Sequence, residues 1–316
     1  MTSNKLAIIS NKMSTLNQND PYWFRDTISE HEWAVVYFVE SKKDIQRTIT
    51  ECATSQINII AIDGGDGTAG MVFTELLNGN QYKELPTLAI LPSGKTNMTA
   101  NVWGIKGSRH KALSSLLKKI NDKTIDQSIH TKPVLAINPG NNKIQYGTFL
   151  GAADVVEAII YCRKHIYPLK LPNWISHILA SSFFLKKTFS RTNSKFKINV
   201  TGKTDRDMLE WHDSGYFFLI MATTLPKLLL DLRPTTNSGS GSVSYIGLKT
   251  QQIISFSNIS NILRGQIRPN KQCKVIKTKS LSICFSGRYT LDGEIYEASD
   301  KIPIEINGTK NLRFIK

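Results

Sequence analysis

In the stretch AIDGGDGTAG, residues 61–70, an apolar run is followed by Gly64, Gly65 and Gly67 around the carboxylate of Asp66. Gly64, Gly65 and Gly67 can bare backbone N–H groups to an anion, and a helix begun near Thr68 would add the partial positive charge of its N-terminus. Thr68 can donate a hydroxyl hydrogen bond to the same phosphate oxygens. The residues alone leave a second reading open, in which Asp66 caps the helix of a tight turn. A second turn, PSGKTN at 92–97, follows another apolar run. Its Gly94, Thr96 and Asn97 can make a further anion-contacting loop, with Lys95 able to hold a phosphate. It is no P-loop: that motif needs a glycine at position 89, which is Ala, and Pro92 sits inside the turn.

The elements that must carry these turns are legible in the first 130 residues. KLAIIS, WAVVYFV, INIIAI and PTLAIL are short, β-branched runs suited to strands covered on both faces. KKDIQRTITECATS and GMVFTELLNGN between them have apolar residues at helical spacing. The alternation predicts an N-terminal open parallel α/β domain over 1–130, with both turns at carboxyl ends of strands, where ligands bind in such sheets. From 131 to 316 the strand-like pieces VLAIN, KIQYGTFLG, FKINVTG, GYFFLIMAT, SVSYIGLK, CKVIKTKSLSICFSG and YTLDGEIYEA predict a C-terminal, mainly antiparallel β domain. It carries a helical, basic insertion at about 152–192. TTNSGSGS, 235–242, reads as a flexible loop.

An excess of 40 Lys+Arg over 25 Asp+Glu, a formal +15, favours an anionic partner without choosing among nucleic acid, membrane and phosphorylated ligand. From Ala158 to Thr204 there are nine Lys+Arg and no acid, with Trp174, Phe183 and Phe184 among them. Such a segment suits peripheral contact with an anionic membrane surface through 163–191, or else packs on the core with its basic face solvated. No nucleic-acid-binding motif accompanies the charge, and no run reaches the roughly 18 apolar residues of a spanning helix. Cys52, Cys162, Cys273 and Cys284 lack metal-ligand spacing and read as reduced thiols of a cytoplasmic protein.

Taken in order, GGDGT after a strand, the P-x-G-x-x-N turn, YGTFLGAADVVEA and YTLDGEIYE resemble the diacylglycerol kinase catalytic superfamily, which includes bacterial lipid kinases and sphingosine and ceramide kinases. The resemblance implies a nucleotide-binding α/β domain, a β-sandwich-like lipid domain on which the C-terminal segment need not stay, since it can pack back on the first domain, and an active-site cleft between the two. It implies ATP and Mg2+ as cofactors and phosphoryl transfer to a lipid hydroxyl, diacylglycerol-like or sphingoid-like. Carried over, Gly64, Gly65, Gly67 and Thr68 contact ATP phosphates, Gly94 and Thr96 line the same pocket, and Asn11 ends the first strand beside it. Asp66 stands near the reacting end, Glu294 matches the general base, and Asp292 helps to position metal or base. A hairpin turn is the alternative for Asp292-Gly293-Glu294. The chain departs from the family pattern at Lys12 after Asn11, at Lys95, and at Met98 where an aspartate is usual. The 235–245 stretch has no acid where bacterial members bind a structural Mg2+, so the metal ligands are unassigned. Two alternatives follow: a non-catalytic nucleotide- or lipid-binding protein on the same scaffold, and an NAD kinase-like enzyme. Oligomeric state is open, a homodimer included.

Overall fold

The computed structural model describes residues 4–140, 143–161, 164–165, 196–205, 208–250, 265–271 and 273–316. The chain forms two compact units: Met1–Val134 with Gln145–Gly147 and Lys310–Lys316, and Leu135–Ile144 with Thr148–Thr309. The sequence segments expected to face a membrane, 163–191, lie outside the described residues apart from 164–165, as does Cys162.

In the first unit, β1 (Leu6–Asn11), β2 (Ala34–Val39), β3 (Ile59–Gly64) and β4 (Thr87–Pro92) form a parallel sheet in the order β2-β1-β3-β4. Every residue of β3 is buried, as a strand covered by helices on both faces requires. The helices are α1 (Arg25–Ile28), α2 (Lys42–Thr54), α3 (Asp66–Asn78), α4 (Met98–Trp103) and α5 (Arg109–Asn121). A capping box starts α2: Ser41 accepts from the Asp44 N–H while the Asp44 carboxylate accepts from the Ser41 N–H. Its buried residues, Ile45, Thr48, Ile49 and Cys52, recur at the spacing of one helical face. On α5, Ala112, Leu113, Leu116, Leu117 and Ile120 join Leu6, Ile8, Ala61, Ala89 and Leu91 in one core. The strand order reverses between β1 and β3, and at such a switch point the chains leave their strands in opposite directions and open a crevice at the carboxyl edge. Asn11 and Gly64 end the two strands that flank it.

In the second unit the chain builds antiparallel structure. The strands are β5 (Ile129–Asn138), which begins in the first unit, β6 (Gln145–Gly147), which belongs to it, then β7 (Phe149–Ala153), β8 (Lys197–Lys203), β9 (Glu210–Thr223), β10 (Arg233–Pro234), β11 (Val243–Lys249), β12 (Gln266–Ile267), β13 (Cys273–Thr278), β14 (Ser280–Cys284), β15 (Gly287–Leu291), β16 (Glu294–Ala298) and β17 (Ile304–Ile315). One helix, α6 (Asp154–Tyr161), follows β7. The long strand β9 organises the sheet. Its first half pairs with β8, and its second half, Phe217–Thr223, pairs with β11 and overlaps the residues that pair with β7. Gly215, at φ +141°, stands where the partners change, a conformation that side-chain-bearing residues rarely adopt. β8 alternates exposed and buried residues along its length, as a sheet with one solvated face requires. The buried face joins Ile198, Val200, Trp211, Phe217, Tyr245, Leu281 and Tyr289 in a second core.

The loop 235–242 corrects the sequence reading. A Cβ on Gly239 would collide with the Lys277 carbonyl and one on Gly241 with the Thr278 backbone, both at positive φ, and Ser242 Oγ donates to the Gly308 carbonyl at 2.7 Å. These glycines serve close docking onto β13. Their lack of side chains signals flexibility in a composition count, but here it admits a neighbouring backbone. At the other end of β17, Phe314 pairs in parallel with Leu88 within the first unit and packs against Phe73 and Trp103, ring centroids 5.7 and 5.0 Å away. Cys52, Cys273 and Cys284 are free thiols; burial pushes Cys52 up to about 12 and Cys273 up to about 11, which leaves both as packing groups. Among the described residues no helix is long and apolar enough to cross a membrane.

Ile60, fully buried at the middle of β3, tests the packing of the parallel sheet. Ile60→Ala is expected to cost about 2–5 kcal/mol, read as a lowered urea midpoint with an unchanged slope.

Candidate functional site

The two glycine turns meet at the carboxyl edge of the first unit. β3 ends at Gly64, Gly65 is the extended N-cap of α3, and the helix begins at Asp66. The first N–H groups of α3 have no acceptor within the helix, and Gly65 and Gly67 are only half-buried beside them. This is an anion-accepting end of the kind a phosphate uses. From β4 the chain enters Ser93–Asn97, which Asn97 closes on itself: its Oδ1 accepts from the Gly94 N–H at 2.8 Å and its Nδ2 donates to the Gly94 carbonyl at 2.9 Å. Asn97 sits in the left-handed region, φ +50°, which asparagine tolerates better than most residues.

Close approach explains two of the glycines. A Cβ on Gly94 would collide with the Gly65 Cα, and one on Gly65 would lie 3.2 Å from the Gly94 Cα. The turns are therefore packed backbone to backbone. Gly64 has a different neighbour, since a Cβ there would fall 2.6 Å from the Thr68 Cβ. Thr68 is itself buried, and its hydroxyl accepts from Asn11 Nδ2 at 2.8 Å. That contact ties the end of β1 to the first turn of α3 and leaves the Thr68 proton to be donated. Lys95 and Thr96 are half-buried on the second turn.

The Asp66 carboxylate is engaged by the second turn and by α4. Oδ2 accepts from Thr96 Oγ1 at 2.7 Å and from the Met98 N–H at 3.0 Å, while Oδ1 accepts from the Thr99 N–H at 2.8 Å. With 6% exposure, it serves as the N-terminal cap of α4, supplied from another element because Asn97 makes no side-chain cap. Capping its own helix, α3, was the simpler alternative, and α3 has no side-chain cap either. The reason is tertiary: the side chain reaches the donors nearest to it in space, which belong to the other turn.

Asp292 and Glu294 belong to the second unit. Asp292 and Gly293, at φ +48° and +92°, form the two-residue turn between β15 and β16, a hairpin of the type that Asp-Gly favours. The Asp292 carboxylate, 6% exposed, accepts from the Thr148 N–H at 2.9 Å, the Thr148 hydroxyl at 2.9 Å and the Phe149 N–H at 3.0 Å. It anchors the turn to the start of β7, so it positions Glu294 rather than serving as a free base. Glu294 opens β16 and is exposed.

The sequence reading missed a buried carboxylate one residue before the glycines. Asp63 has no exposure and accepts from Ser10, Asn17, Trp23 and Ser93. The Asn17 side chain accepts in turn from Arg109 Nη1 at 2.8 Å. Burial lowers the Arg109 guanidinium, against the raising effects of Asp63 and Asp20. A charged residue at the end of the apolar run IIAI was the available signal. Its partners come from strand register and loop packing, which no spacing in the chain encodes.

Among the described residues no group of three His, Cys, Asp or Glu side chains is placed to hold a metal ion. Asp66 adds nothing to such a group, because hydrogen bonds within the protein occupy both of its oxygens.

An open parallel sheet with a glycine turn entering a helix at its switch point defines an α/β domain suited to a phosphate-bearing ligand. Residues 5–127 match the model of the diacylglycerol kinase catalytic domain. No curated protein matches the sequence. The fold is similar to that of a diacylglycerol kinase from Bacillus anthracis str. Sterne, 19% identical with a TM-score of 0.65 over 99% of this chain and 96% of that one. A candidate diacylglycerol kinase from the same organism is 18% identical, with a TM-score of 0.66 over 100% and 98% of the two chains. At these identities the structural likeness carries the fold alone.

Two substitutions probe the site. Asp66→Ala leaves three donors without their acceptor and is expected to cost about 2 kcal/mol, measured by chemical denaturation, with faster hydrogen exchange at Met98 and Thr99. Gly94→Ala is expected to force the turns apart and to abolish nucleotide binding by calorimetry while far-ultraviolet circular dichroism stays unchanged.

Proposed function

We propose that the protein is an ATP-dependent lipid kinase that transfers the γ-phosphoryl group to a lipid hydroxyl. The observation that carries this reading is the pair of backbone-packed glycine turns beside the N-terminus of α3, in a domain that matches a kinase family. Gly65, Gly67, Gly94, Lys95, Thr96 and the Thr68 hydroxyl would hold the nucleotide phosphates. The lipid oxygen forms a bond to the γ-phosphorus, the bond to the β–γ bridging oxygen breaks with its electron pair leaving on ADP, and Glu294 takes the hydroxyl proton. The residues hold phosphates by backbone N–H groups and one lysine, and no step is assigned to a protein-bound metal. The acceptor on this reading is diacylglycerol-like or sphingoid-like, reached from an anionic membrane surface through the basic 163–191 segment.

The occupied carboxylate of Asp66 and Met98 in place of an acid favour one second reading, a nucleotide or lipid binder without turnover. Both readings meet the same experiment. Purified protein is given labelled ATP, Mg2+ and mixed micelles carrying diacylglycerol, sphingosine or ceramide, with NAD as a soluble acceptor. The kinase reading expects label in one lipid and a loss of about 10²–10⁴-fold in kcat for Glu294→Gln. ATP binding without label in any acceptor selects the binder, and label in NAD alone selects the NAD kinase-like alternative.

A further inference from the structure

The buried cluster around Asp63 lies directly beneath the residues assigned to the nucleotide. Asp63 precedes Gly64, Ser10 precedes Asn11 and Ser93 precedes Gly94. Ser10 and Asp63 are register partners across β1 and β3, and Ser10 Oγ donates to Asp63 Oδ2 at 2.7 Å. Ser93 Oγ donates to the other oxygen, Oδ1. Asn17 Nδ2 at 3.0 Å and Trp23 Nε1 at 3.2 Å complete the set from the segment that follows β1. The carboxylate of the residue before one pocket position thus holds the residues before two others, on two separate stretches of chain.

Charge makes this arrangement unusual. A carboxylate with no solvent exposure is costly unless it is hydrogen-bonded and compensated, and well-packed apolar residues often replace buried charges without loss of stability. Here the compensation is built in. Arg109 is 8% exposed, donates to Asn17 Oδ1 at 2.8 Å, and lies over the Trp23 ring with its guanidinium carbon 4.7 Å from the ring centroid. Asp20 stands 3.6 Å from its other side. Packing alone needs neither charge. A carboxylate, however, accepts from hydroxyls on two strand ends at once, and so sets the spacing of the turns that leave them.

We infer that Asp63 is the positioning residue of the nucleotide site, that it sets the spacing between the Gly64–Thr68 and Gly94–Asn97 turns, and that Arg109 balances its charge through Asn17. The inference rests on the reading of those turns as a nucleotide site.

The test is calorimetric titration of the full chain with ATP and Mg2+, paired with thermal melts. Asp63→Asn and Ser93→Ala are each expected to weaken ATP binding about tenfold, and the double variant to bind no worse than the weaker single, because both remove one shared contact. Arg109→Met leaves Asp63 charged and unbalanced, and is expected to weaken binding similarly. Adding Asp63→Asn to Arg109→Met should then cost no further affinity, the signature of a coupled pair. Ile49→Val, in the buried face of α2, is the control for stability alone and should lower the melting temperature without moving the ATP affinity. Should Asp63→Asn fail to fold, Ser93→Ala, which removes a single hydroxyl, still decides. Variants that melt earlier yet bind ATP as the parent does would overturn the inference and leave the nucleotide reading standing. Additive losses on combining Asp63→Asn with Ser93→Ala or with Arg109→Met would overturn it too. A parent protein that binds no ATP would overturn the nucleotide reading itself, and this inference with it.

Discussion

The first unit depends on one close approach, that of Gly65 to Gly94. A Cβ on Gly94 would collide with Gly65 and one on Gly65 would crowd Gly94, so the two turns share a surface made of main chain. Contact of this kind exposes N–H groups along a continuous edge and keeps side chains from covering them. It also has little cohesion of its own, because glycines bring no apolar area. The cohesion comes from carboxylates on either side: Asp66 binds the second turn and α4 from the first turn, and Asp63 binds both strand ends from below.

The same division of labour recurs among the buried acids of each unit. Three of the four carboxylates considered, Asp63, Asp66 and Asp292, are buried and accept three or four hydrogen bonds each from the protein. Each joins segments that are distant in the chain. A buried acid held in this way resists displacement, since a shift leaves a charged acceptor short of a donor in a medium that cannot replace it. Glu294 is the one exposed acid of the set. The hairpin that presents it is fixed at its turn by the Asp292 contacts to Thr148 and Phe149.

Much of the architecture was legible from pattern alone. The runs KLAIIS, INIIAI and PTLAIL became parallel strands, and the change of pattern after 131 became antiparallel structure, because periodicity reports which faces are covered. The errors came where a residue type has two uses. Glycines in 235–242 indicate a flexible loop by composition, yet they let the loop press on β13. Asp66 among glycines suggested chemistry, and it caps a helix that begins 32 residues later. Asp63 was passed over because its partners, at separations from 30 to 53 residues, are joined only by register and loop packing.

By itself, then, the sequence determined the two kinds of sheet, the positions of both glycine turns at strand ends and the Asp-Gly hairpin, since each follows from local covalent geometry and hydrophobic period. Tertiary structure alone decided which donors each carboxylate meets. A side chain binds the nearest unsatisfied group in space, and that group is set by how strands align and turns stack. Order along the chain does not record it, and so Asp63, unread in the sequence, joins strand ends that lie 30 to 53 residues away.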